Sequence, residues 1–101
     1  MADQQAVFAA ACSGDCETLK HALDSGVDIE ARDAKQNTAL HLATRHKQGD
    51  CMRLLIARGA DVNARNADAS TPLHLAEKHM ETIRILLEAG ADPNLTDVTP
   101  S

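Results

Sequence analysis

Thr38-Ala39-Leu40-His41-Leu42-Ala43 returns 33 positions later as Thr71-Pro72-Leu73-His74-Leu75-Ala76. Gly59-Ala60-Asp61-Val62-Asn63 returns as Gly90-Ala91-Asp92-Pro93-Asn94, and Gly26-Val27-Asp28-Ile29-Glu30 is a degenerate earlier copy. Gly26 and Gly59 each stand 12 residues before the next Thr of the pattern. Self-similarity of this kind marks a solenoid of stacked units, none of which can bury its apolar side alone. A stacked solenoid presents surfaces, so the pattern points to recognition rather than turnover.

Each unit has local signals for two helices. Thr38 and Thr71 are placed as N-caps, where a hydroxyl accepts from an orphan amide of the first turn, and Pro72 suits the first helical position because it has no amide to lose. Leu40, Leu42, Ala43 and Leu73, Leu75, Ala76 then form the buried side of a short first helix. Second helices carry Leu19, Ala22, Leu23, then Leu54, Leu55, Ile56, then Ile83, Ile85, Leu86, Leu87. Gly26, Gly59 and Gly90 supply the left-handed residue that ends them.

These residues resemble the ankyrin-repeat family, whose unit carries Thr-Pro-Leu-His-x-Ala at its first helix and Gly-Ala-Asp-x-Asn after its second. The resemblance runs from about Gln5 to Thr96. It implies an all-α solenoid of stacked helix-turn-helix repeats joined by β-hairpin-like loops. A single domain, 1–101, would hold repeats at about 5–32, 33–65 and 66–96 with a short tail, 97–101. The resemblance further implies that Ala31 to Asn37 and Ala64 to Ser70 are hairpin fingers projecting from the helices. His41 and His74 would bond the capping Thr and a carbonyl of a neighbouring repeat.

The chain departs from the family pattern in four respects. Gln36 and Ala69 stand where the family has the hairpin Gly, so these turns are expected to adopt another type or to be mobile. The third repeat is two residues short around Lys78-His79-Met80, which predicts an early end to its first helix and a tight turn. In the middle repeat Gly49 comes two residues later than the family's Gly would. Lastly, the second helix of the third repeat shows no polar outer face and Thr99-Pro100 begins no further unit, so the last face is expected to be a liability or a docking surface.

Composition narrows the function class. The chain is 44% hydrophobic with one Phe and neither Trp nor Tyr, so its core must come from small aliphatic side chains on closely packed helices. A net charge of −5 and the scarcity of aromatic residues argue against nucleic acid, whose binding draws on cations and stacking. No apolar run is long enough to span a membrane, and Met1 to Gln5 lack signal-peptide character, so a cytoplasmic or nuclear location is expected. Cys12, Cys16 and Cys51, odd in number and inside helical segments, read as reduced thiols.

Few residues suggest chemistry. Cys12, Cys16 and His21 could be imagined as zinc ligands, but the spacing fits poorly and Asp15 reads as a helix cap. No Gly-rich phosphate loop is present, and no nucleophile, base and acid converge, so neither enzymatic activity nor any metal or cofactor is expected. Asn63 in Asp61-Val62-Asn63, with Leu55 upstream, is similar to the pattern that an oxygen-sensing asparaginyl hydroxylase modifies in many ankyrin repeats; Asn94 is a poorer match. The competing reading is an Asn that hydrogen-bonds the hairpin backbone.

The resemblance implies binding on the concave side, through finger tips and first-helix ends. Carried over by position, the tips are Ala34, Lys35, Asn37 and Ala67, Asp68, Ser70. The helix ends are Cys12 and Ser13, then Arg45 and His46, then Lys78 and His79. Arg45-His46-Lys47 and Lys78-His79 gather basic side chains on an acidic chain, which suggests a protein partner with an acidic segment; the alternative is ordinary solvated helix ends. The expected function is thus a non-catalytic interaction module, an adaptor or inhibitor, monomeric in solution. The alternative is a piece of a larger solenoid, or an element that self-associates through the third repeat.

Overall fold

The structure is a computed structural model and describes residues 4–91. Six helices follow one another: α1 (Gln4–Ser13), α2 (Cys16–Asp24), α3 (Ala39–Arg45), α4 (Gly49–Ala57), α5 (Pro72–Leu75) and α6 (Met80–Glu88). The first helices α1, α3 and α5 stack in one row, and the second helices α2, α4 and α6 stack behind them. Among the described residues there is no strand. Between the two rows, Ala10, Ala11, Ala39, Ala43 and Ala76 let the helices approach closely, while Leu19, Leu40, Met52, Leu55 and Leu86 fill the core. Burying one such Leu contributes about 1.5–3 kcal/mol, so the stack is held mainly by these few side chains.

Capping follows from the residues at each helix end. Thr38 and Thr71 accept the amides of His41 and His74. Asp15 accepts the Thr18 amide at the start of α2. At the other ends Gly26, Gly59 and Gly90 adopt φ of 103°, 91° and 94°, in the left-handed half of the backbone map that glycine occupies without a Cβ penalty. Each helix closes with the same pair of bonds. The residue after Gly donates to the carbonyl five back (Val27 to Ala22, Ala60 to Leu55, Ala91 to Leu86), and Gly itself donates to the carbonyl three back.

One expectation changes in detail. Gln36 and Ala69 keep the left-handed turn, with φ of 64° and 62°, although each carries a Cβ. A further side chain is held in the same way between the helices of the middle repeat, where Lys47 has φ 58° and Gly49 instead opens α4. Leu87 is 45% exposed, whereas Leu86 beside it is fully buried. The shortened third repeat is as its length predicts: α5 is a single turn of 4 residues, and Glu77 closes it at φ 52°.

Gly14, in the corresponding turn of the first repeat, is needed for space as well as for its φ of 83°. A Cβ there would lie 2.6 Å from Oε1 of Gln48, which crosses from the next repeat and donates from Nε2 to the Cys12 carbonyl at 3.0 Å.

Candidate functional site

The fingers are built from Asp33 and Asn66, each closing a tight turn on itself. The Asp33 carboxylate accepts from the amides of Lys35 (2.8 Å) and Asn37 (2.9 Å). Asn66 Oδ1 does the same for Asp68 (2.9 Å) and Ser70 (3.0 Å). In the backbone, Gln36 donates to the Asp33 carbonyl, and the Asp33 amide to the Asn37 carbonyl; Ala69, Asn66 and Ser70 repeat the arrangement. This is a three-residue hairpin turn whose last loop position is left-handed, which is why Gln36 and Ala69 hold positive φ. The closure is that of a hairpin without the strands.

Neighbouring fingers are then bonded side by side. The Ala67 amide donates to the Lys35 carbonyl at 3.0 Å, and Asn66 Nδ2 to Asn37 Oδ1 at 2.8 Å. Arg32 donates to the carbonyls of Gln36 and Arg65. Beneath them His41 joins the middle repeat to the third. Its Nδ1 accepts from the Thr38 amide and hydroxyl, and its Nε2 donates to the Ser70 carbonyl at 2.8 Å. These bonds select the neutral imidazole with its proton on Nε2. Burial pushes the His41 pKa down, against a smaller opposing effect of the Ser70 carbonyl. His74, its counterpart, is exposed.

These restraints separate the expected binding residues. Ala34, Lys35, Arg45, His46, Ala67, Asp68 and Lys78 are exposed. Ser70 is half-buried, with its carbonyl engaged by His41. Asn37 is 3% exposed and locked between Asp33 and Asn66, so its side chain is turned inward. His79 is half-buried and caps α6, its Nδ1 accepting from the Thr82 amide.

A groove runs between the first finger and the helices α1 and α3. Phe8, Ala9 and Leu42 line it together with Cys12, and Lys35 and Arg45 are its cations. Asp33, its acid, is turned to the finger amides. Lys78 and His79 line a second groove, on the end of the stack, with Lys47, Leu73, Ile83 and Leu87.

Sequence spacing also missed a thiol pair. Cys16 and Cys51, 35 positions apart, bring their sulfurs to 3.2 Å. Cys51 is buried and its thiol is pushed up to about 12, chiefly by burial and then by the hydrogen bond to Cys16. Burial likewise raises the Cys12 thiol, with Asp33 adding to the shift and Arg45 opposing it. Among the described residues no three His, Cys, Asp or Glu side chains are grouped to hold a metal ion, and no helix is long and apolar enough to cross a membrane. Asn63 is half-buried, its amide donating to Asp61 Oδ1 at 2.9 Å. Asn94 lies outside the described residues.

The repeat geometry has its counterpart in a family comparison: the family model for ankyrin repeats, in 3 copies, matches residues 7–97. The chain belongs to the ankyrin-repeat family. Ankyrin repeats are generally protein–protein interaction modules and are typically non-catalytic. A comparison with curated proteins gives no match. In this ankyrin domain Thr38 and Thr71 cap their helices, His41 ties the middle repeat to the third, and Gly26, Gly59 and Gly90 end the second helices.

Proposed function

We propose that this ankyrin domain is a non-catalytic interaction module whose partner protein lies in the groove between the first finger and the helices α1 and α3. The observation that carries this reading is the make-up of that groove, an apolar floor of Phe8, Ala9 and Leu42 flanked by Lys35 and Arg45. Its lining carries two cations against one acid, Asp33, whose carboxylate is bonded to its own finger, a positive balance on a chain whose net charge is −5. An acidic segment with an apolar side chain is the complementary occupant. The charges would speed encounter and set register, and the floor would supply the buried area. Ala67 and Asp68 on the second finger extend the surface.

Affinity capture at two salt concentrations tests this, comparing the native chain with Lys35→Glu/Arg45→Glu and with Lys78→Glu. A partner lost by the double variant and kept by Lys78→Glu supports the groove. Equal retention by all three overturns it.

A second reading rests on the end of the stack. His74 is exposed, and Leu87 on α6 is 45% exposed. That face is built to continue the solenoid or to meet a second copy, and a mass that rises with concentration in sedimentation would favour it.

A further inference from the structure

We propose that Cys16 and Cys51 are a redox modification site, closing on oxidation by peroxide into a disulfide that staples the first repeat to the second. Three observations carry this. The sulfurs already lie 3.2 Å apart across the joint between α2 and α4, so bonding them to the usual length of about 2.05 Å takes a movement of roughly 1 Å. Both residues line a cleft of about 260 Å³ together with Lys47, Gln48, Arg53 and His79, which gives a small oxidant a way in. Cys16 is half-buried while Cys51 is fully buried, which separates an attacking thiol from a resolving one.

The step balances. The Cys16 sulfur attacks one oxygen of hydrogen peroxide, giving a sulfenic acid and releasing water. The Cys51 sulfur then displaces the hydroxyl from the Cys16 sulfur, and the Cys51 thiol proton leaves with it as a second water. Two thiols are oxidised by two electrons, and one peroxide is reduced to two waters. Burial raises the Cys51 thiol, so its proton is lost only as its sulfur attacks. Cys12 stands apart, on the groove beside Asp33 and Arg45, and is a built-in control.

The staple has a mechanical role. Other polar ties between the first two repeats are Arg58 to Asp24 at 2.8 Å, the Asp61 amide to Glu30 at 2.7 Å, Gln48 to the Cys12 carbonyl at 3.0 Å and, buried, the Cys51 thiol to the Ala10 carbonyl at 3.8 Å. In a solenoid each joint opens nearly independently, so a covalent bond at this one suppresses fraying of the first repeat.

The full chain at low micromolar concentration is treated with hydrogen peroxide at neutral pH, digested without reductant and mapped by mass spectrometry. The expected result is a Cys16–Cys51 cross-linked peptide lighter by two hydrogens, with Cys12 still open to iodoacetamide. The protein stays monomeric, and Tm rises by about 10 °C and returns with dithiothreitol. Cys12→Ser should leave all of this unchanged. A Cys12–Cys16 link, an intermolecular disulfide, or sulfinic acid at Cys16 with Cys51 free would overturn the site. A Cys16–Cys51 link without a rise in Tm would overturn the staple.

Discussion

His41 reaches across the joint between two repeats to the carbonyl of Ser70 at 2.8 Å, while its other nitrogen accepts from the amide of Thr38. One buried ring therefore caps its own helix and ties the next finger in place. Removing it strands the Thr38 amide and the Ser70 carbonyl and leaves a cavity. His41→Ala is expected to destabilise the domain by about 2–4 kcal/mol, read as a drop in the urea midpoint.

The same ring makes stability depend on pH. The folded pKa of His41 lies below its ordinary value of 6.5, because burial disfavours the cation. Its unfolded chain therefore binds more protons in the intervening range, and stability rises with pH there. This contribution is fully present above about 6.5 and is lost as pH falls toward the folded value. Urea titrations at pH 7.5 and 5.5 should show the native chain weakening at the lower pH, with a smaller difference in His41→Asn. Equal differences in the two proteins would assign the effect to other groups.

Ala69 sits at φ 62°, in a left-handed turn that glycine would adopt more easily. Relief of about 1–2 kcal/mol of backbone strain outweighs the entropy of about 0.5–1 kcal/mol that glycine adds to the unfolded chain. Ala69→Gly should therefore raise stability by roughly 0.5–1 kcal/mol. Gly59→Ala should do the opposite: its φ is 91°, and a Cβ there meets nothing within 4 Å, so the loss of about 1 kcal/mol is purely backbone strain. Thermal denaturation of the two variants gives both signs in one experiment.

Asn37 is a test of inside against outside. With Oδ1 accepting from Asn66 at 2.8 Å, truncation leaves a half-buried amide unpaired between the fingers. Asn37→Ala should lower stability by about 1–3 kcal/mol. In a double-mutant cycle with Asn66→Ala the coupling should be favourable, near 1 kcal/mol. A variant that lost partner binding without losing stability would return Asn37 to the recognition surface.

Leu86 and Leu87 are adjacent, yet only one is in the core. Leu86→Ala is expected to cost about 2–5 kcal/mol. Leu87→Gln, at a residue that is 45% exposed, should change stability by no more than about 0.5 kcal/mol. Chemical denaturation separates these outcomes clearly.

By itself the sequence determined whatever is local to a repeat. Thr38, Thr71 and Asp15 cap because a short polar side chain beside orphan amides has one good use, and Gly26, Gly59 and Gly90 end helices because that backbone conformation penalises a Cβ. The early end of α5 was readable too, from the two residues missing there. Only the tertiary structure decided what depends on how one repeat is set against the next. The 3.2 Å approach of Cys16 to Cys51 and the inward turn of Asn37 onto Asn66 join residues some 30 positions distant. Small rotations between stacked helices set those distances, and side-chain periodicity along one helix carries no measure of them.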